Sequence, residues 1–154
     1  MKGPNPCCPD LHRRWRDSCR DFACHVYAYA VPNQAALVEL EKHVPLVELG
    51  AGTGYWAGVL RTLGVDLIAM DKHPLVTAGH LKSHGKGNEY HGKTVPFSNV
   101  RLGVAATLAE RQYAGRTLFL CYPPPVSDAC STEALKHYQG DKVCDTRIGF
   151  FYSC

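Results

Sequence analysis

The sequence predicts an α/β fold with a mostly parallel sheet and helices on both faces, and three observations predict it. Residues 44–49 form an apolar run that passes through a glycine-rich turn into a helical pattern at 55–63, then into a second apolar run at 65–70. That strand, turn, helix, strand order is a βαβ unit with a right-handed crossover. Residues 117–122 are apolar on both faces, as a strand inside a parallel sheet requires.

The remaining elements follow in order. Residues 1–9 carry three prolines and a glycine and predict a disordered lead. Asp10 caps a helix expected from Leu11 to about Cys24. Leu11, Trp15, Cys19 and Phe22 recur at helical spacing, so this helix is expected to cover the domain. After an aromatic stretch at 26–31, Pro32 stops the chain and Asn33 N-caps a helix over 34–42. Gly64 ends the helix that follows the glycine turn. Residues 79–99 read as a long loop, and 100–102 as a brief third strand. A helix is expected over 104–113 and another over 129–138, with a fifth strand at 142–144. Asp145, Thr146 and Gly149 then break the pattern.

Composition narrows the function. The chain has 154 residues, 45% apolar and 20% charged, which fits one globular domain over 10–154. Its net charge of +3 is spread out, and the one basic cluster, Arg13, Arg14, Arg16 and Arg20, is interrupted by Asp17 and Asp21. Nucleic acid is therefore not indicated as a partner. No apolar run approaches the roughly 18 residues needed to cross a membrane, and residues 1–10 lack a secretory signal. A cytoplasmic protein with reduced thiols is expected. The eight cysteines show no paired C-x-x-C spacing, so no metal site is expected.

The chemistry concentrates at Glu48-Leu49-Gly50-Ala51-Gly52-Thr53-Gly54. A tight turn at a strand's carboxyl end needs residues that tolerate positive φ and let a ligand approach the backbone. A dinucleotide fingerprint reads G-x-G-x-x-G. Here the glycines follow G-x-G-x-G, Tyr55 stands where the last glycine would be, and an acid, Glu48, precedes them. Asp71 ends the second strand about 20 residues after Gly50, the spacing at which an acid meets ribose hydroxyls.

The pattern E-x-G-x-G-x-G resembles motif I of class I S-adenosylmethionine-dependent methyltransferases. The strings Tyr27-Ala28-Tyr29, Asp71-Lys72-His73-Pro74, Asn88-Glu89-Tyr90-His91 and Cys121-Tyr122-Pro123-Pro124 look like a poorly characterised group of methyltransferase-like proteins. The similarity covers about 27–143. It implies a Rossmann-like core and S-adenosylmethionine as cofactor, bound by Glu48, Gly50, Ala51, Gly52, Thr53, Gly54 and Asp71. It also implies a methyl acceptor, not identified by the sequence, near Tyr122, Pro123 and Pro124 at the end of the fourth strand. Tyr122 stands where amino-methyltransferases carry an amide or carboxylate, and Pro125 where they carry an aromatic ring. His91 reads either as a solvated loop histidine or as a general base.

A complete core of that class has seven strands in the order 3-2-1-4-5-7-6. This sequence offers four or five, so an incomplete core without the final antiparallel pair is expected. An uncovered fourth or fifth strand would then associate with another chain, or the tail over 141–154 would fold across it. Two alternatives stand beside a methyltransferase: a non-catalytic cofactor-binding or interaction protein, and a nicotinamide-dependent oxidoreductase.

Overall fold

The computed structural model describes residues 8–75, 88, 90–92, 94–123, 130–146 and 150–153. Residues 1–7 of the expected lead 1–9, much of the 79–99 loop and Pro124 lie outside the described residues, while Cys8 and Pro9 belong to the first helix, with Asp10 in its first turn and not at its cap. The sheet strands are β1 (Leu46–Leu49), β2 (Leu67–Asp71), β3 (Arg101–Leu102), β4 (Thr117–Leu120), β5 (Lys142–Asp145) and β6 (Phe150–Ser153). They lie in the order β3-β2-β1-β4-β5-β6. The first five pair in parallel, and β6 runs antiparallel to β5. The fold is the expected Rossmann-like α/β arrangement.

Alternation along each strand builds two cores. Leu46, Phe119 and Cys144 face one side, with α3 (Gln34–Glu41) and α4 (Tyr55–Thr62) supplying Leu40, Ala57 and Leu60. Val47, Leu118 and Val143 face the other side, against Leu108, Tyr113 and Ala134, the last from α5 (Cys130–His137). Strands covered on both faces read as continuous apolar runs, which is why β1, β2 and β4 were visible in the sequence. Asn33 caps α3 as expected, its side chain accepting from Ala36 N at 2.8 Å.

Chain direction creates the site. From β1 the chain steps to β2 on one side, and β4 pairs with β1 on the other. The crevice at the carboxyl end of β1 is therefore a topological switch point, where open α/β sheets take their ligands. At the opposite end Arg116 braces the strands, donating to both Asp66 oxygens at 3.0 Å and to Leu46 O at 3.1 Å.

Three expectations are corrected. The first helix is not a cover. It comprises α1 (Cys8–Trp15), a π-helical stretch at Arg16–Arg20 and α2 (Asp21–Val26). Leu11, Trp15 and Phe22 are 64%, 61% and 65% exposed, and Cys24 alone of this helix is buried among the described residues. The helix expected over 104–113 is instead two 3₁₀ turns, Ala105–Ala109 and Arg111–Tyr113. Extended Glu110 separates them, and Thr107 Oγ1 takes the Val104 N–H at 3.0 Å.

The third correction concerns the antiparallel partner expected to be missing, while the other expectation for the edge, that the tail over 141–154 covers it, is met. β4 is paired on both sides, by β1 and β5, and β5 is covered by β6. The antiparallel pair expected to be absent is represented by one strand, in register from Lys142 opposite Ser153 to Asp145 opposite Phe150. The polar break after β5 separates two strands and does not end the sheet. The aromatic run that follows suits a strand. Among the described residues no helix is long and apolar enough to cross a membrane.

Truncation after Thr146 would strip β6 from β5 and leave the buried Val143 and Cys144 beside an unpaired edge. The truncated chain is expected to self-associate in light scattering, at a mass per particle above that of the full chain. A truncated chain with the full chain's oligomeric state would contradict this role for β6.

Candidate functional site

The glycine turn has the predicted backbone. Gly50, Gly52 and Gly54 have φ of 81°, 53° and 72°, the left-handed region that side chains disfavour. The N–H groups of this turn are used internally. Gly50 N and Ala51 N both donate to Met70 O, at 2.9 and 3.0 Å, and Gly54 N donates to Ala51 O at 2.8 Å. Gly52 N donates to Asp71 Oδ2 at 2.9 Å.

Asp71 does more than end β2. Its other oxygen, Oδ1, accepts from His73 N at 2.8 Å and from Asn88 Nδ2 at 3.1 Å. Asn88 Oδ1 in turn accepts from Tyr90 N at 2.9 Å and His91 N at 3.1 Å. This chain of bonds fixes the turn that carries His91. His91 is 6% exposed, so it is no solvated loop residue. Its Nδ1 lies 2.9 Å from His25 O, a carbonyl that can only accept, which assigns the Nδ1 proton. In the neutral ring Nε2 then carries a lone pair. A Cβ on Gly52 would lie 2.5 Å from that Nε2, so the glycine is required by His91 itself.

The stretch before α3 closes the site. Thr53 donates its hydroxyl to Tyr27 O, and Trp56 Nε1 donates to Ala30 O at 2.9 Å. These bonds hold Tyr29 over the sheet's carboxyl edge. There its ring stacks on Tyr122, with centroids 5.9 Å apart and planes at 10°. It also meets Tyr90 at 6.3 Å and His91 at 5.8 Å, both edge-on. Tyr122 has φ of 49°, the one non-glycine in the left-handed region among the described residues. Its N–H donates to Thr146 Oγ1 at 2.9 Å.

These elements enclose a cavity of about 390 Å³, within the range of small-molecule sites. Of the residues singled out from the sequence, Glu48, Gly50, Ala51, Gly52, Asp71, His91, Tyr122 and Pro123 line it. Thr53 and Gly54 do not. Thr53 latches the Tyr27 carbonyl, and a Cβ on Gly54 would meet Val100 Cγ2 at 2.9 Å. Tyr29, Tyr90 and Glu133 line the cavity without having been predicted to do so. Tyr29 and Tyr90 sit in strings that marked the resemblance, but nothing local announced that the chain brings them together.

Glu48 is the electrostatic centre. It is 1% exposed, and Oε2 has no hydrogen-bond partner among the described residues. Burial pushes its carboxyl up to about 8; Arg61 opposes the shift and Asp71 adds to it. Arg61 is itself committed to Leu67 O, Ser98 Oγ and Asn99 O. Cys121, beside Glu48 in the wall, is pushed up by burial and by the Glu48 charge, so it stays a thiol and no nucleophile. The wall near β1 thus offers whatever enters the lone pair of His91 Nε2 and the Glu48 carboxyl, which carries its proton up to about 8.

The chain matches no known family model, no curated protein and no solved structure.

Glu48 links stability to pH. The folded chain keeps the Glu48 proton up to about 8, whereas the unfolded chain loses it near 4.5. Between those values the native state binds the extra proton, so stability falls as pH rises through the window and levels off above it. The slope is at most roughly 1.4 kcal/mol per pH unit. Glu48→Gln removes that slope. Urea denaturation at pH 5, 7 and 9 is expected to show the variant gaining on the wild-type chain between pH 5 and 8. Parallel pH profiles would remove Glu48 from the buried, unpaired position.

Proposed function

We propose that the chain is an S-adenosylmethionine-dependent methyltransferase, with the cofactor held in the cavity at the end of β1 and the acceptor near the end of β4. Glu48 Oε2 carries this assignment: it is buried, unpartnered among the described residues and on the cavity wall beside the glycine turn. An unpaired buried carboxylate is costly unless a cation meets it, and the methionine end of S-adenosylmethionine carries an ammonium.

The glycine turn supports the same ligand over a dinucleotide. A pyrophosphate needs unsatisfied backbone N–H groups. Those of Gly50, Ala51, Gly52 and Gly54 are already bonded. Among the described residues Asp71 Oδ2 accepts one bond, from Gly52 N, which leaves a lone pair for a ribose hydroxyl. When bound, the cofactor supplies an electrophilic methyl group on a sulfonium. The protein's part is alignment of the acceptor by the Tyr122–Pro123 wall, with His91 as a nearby proton acceptor. Free thiols such as Cys121 and Cys144 suit the cytoplasm.

One observation favours a second reading, a cofactor-binding protein without turnover. Tyr122 replaces the amide or carboxylate expected at that position, and its ring is stacked on Tyr29.

Calorimetric titration with S-adenosylhomocysteine and with NAD separates the ligand classes. The expected result is saturable binding of S-adenosylhomocysteine and none of NAD. Binding of NAD alone would overturn the proposal.

A further inference from the structure

Asn88 lines the cavity together with Asp71 and His91, and it is 6% exposed. Its side-chain nitrogen Nδ2 donates to Asp71 Oδ1 at 3.1 Å and to His73 O at 2.9 Å. Its oxygen Oδ1 accepts from Tyr90 N at 2.9 Å and from His91 N at 3.1 Å. A carboxylate and a carbonyl only accept, and backbone N–H groups only donate, so these partners fix which end of the amide is which. Both N–H groups and both lone pairs of the amide are then in use. Ionised aspartate has the same length but no donor, and glutamine is one methylene longer.

The bonds close a circuit around the glycine turn. Gly52 N donates to Asp71 Oδ2 at 2.9 Å, and Asp71 Oδ1 meets Asn88. Asn88 holds His91 N, and His91 Nε2 returns to Gly52, where an added Cβ would lie 2.5 Å from it. Backbone bonds between Asn88 and Gly92, both 2.8 Å, close the turn that carries His91. With its backbone held by Asn88 and its Nδ1 by His25 O, the His91 ring presents Nε2 beside Gly52. With Oδ1 taken by Asn88 and His73 N, Asp71 keeps Oδ2 for a ligand.

We propose that Asn88 is the positioning residue of this site: its amide oxygen sets the His91 ring and tautomer, and its amide nitrogen sets the Asp71 carboxylate. The inference rests on the methyltransferase reading for what Asp71 and His91 do to a ligand, but not for how Asn88 places them. In that reading one side chain places both the group that meets the ribose and the group that accepts a proton.

Two substitutions divide the amide. At pH 8, Asn88→Asp keeps an oxygen for Tyr90 N and His91 N but sets a second carboxylate against Asp71. Asn88→Ala removes both ends. Long-range proton–nitrogen NMR of the free full chain reads the His91 tautomer, and hydrogen exchange reads the Gly52 amide. The unsubstituted chain is expected to carry the Nδ1 proton. Asn88→Asp is expected to keep that tautomer while its Gly52 amide exchanges about ten-fold faster or more; Asn88→Ala is expected to lose both features. The Nε2–H tautomer in the unsubstituted chain, or the Nδ1–H tautomer retained in folded Asn88→Ala, overturns the proposal. So does Asn88→Asp with unchanged Gly52 exchange, or with the Nδ1–H tautomer lost. Each variant is also expected to bind S-adenosylhomocysteine about ten-fold or more weakly. The expected NMR pattern in a chain that does not bind S-adenosylhomocysteine supports the positioning role and overturns the cofactor instead.

Discussion

The carboxylate of Asp71 ties together three parts of the chain that are far apart in sequence. One oxygen holds Gly52 N in the glycine turn, and the other holds His73 N and the Asn88 side chain. Without it Gly52 would lose its bond to β2, and the Asn88 side-chain nitrogen would keep only His73 O. The position of His91 follows from Asn88, and Tyr90 follows with it. An acid at the end of the second strand therefore serves first as scaffold. Its remaining lone pair is what it has for a ligand.

Against that scaffold, Glu48 is an imbalance the protein does not resolve by itself. Its neighbours on β1 are apolar and fully buried, so its charged form is penalised. A glutamine or an alanine would suit the bare fold better at neutral pH. An organic cation would turn the penalty into an attraction, because the low dielectric that disfavours the lone charge strengthens the pair. The Glu48 carboxyl and the stacked rings of Tyr29 and Tyr122 sit in the wall of one cavity. In the glycine turn, the N–H groups of Gly50, Ala51, Gly52 and Gly54 are bonded within the protein.

The parallel strands were legible because burial on both faces leaves a continuous apolar run, as in 44–49 and 117–122. Glu48 was legible for the opposite reason, as a charge inside such a run. Contacts that span long stretches of chain were not legible. The burial of His91 depends on His25 O and Gly52, and the Tyr29–Tyr122 stack joins the chain before α3 to the end of β4. No periodicity records such meetings. The stripe of Leu11, Trp15 and Phe22 misled because helical spacing tells which face of a helix is apolar and not whether anything packs on it. The tail misled because polar residues that separate two strands look the same as polar residues that end a domain. The helix expected over 104–113 is broken into two short 3₁₀ turns at Glu110, whose backbone is extended.

A crystal structure of the chain soaked with S-adenosylhomocysteine tests the central claim most directly. The account predicts the ligand in the cavity at the end of β1, with its ammonium about 2.7–3.2 Å from a Glu48 carboxylate oxygen and its ribose at Asp71. A ligand lying with another group against Glu48, or found outside this cavity, would contradict it.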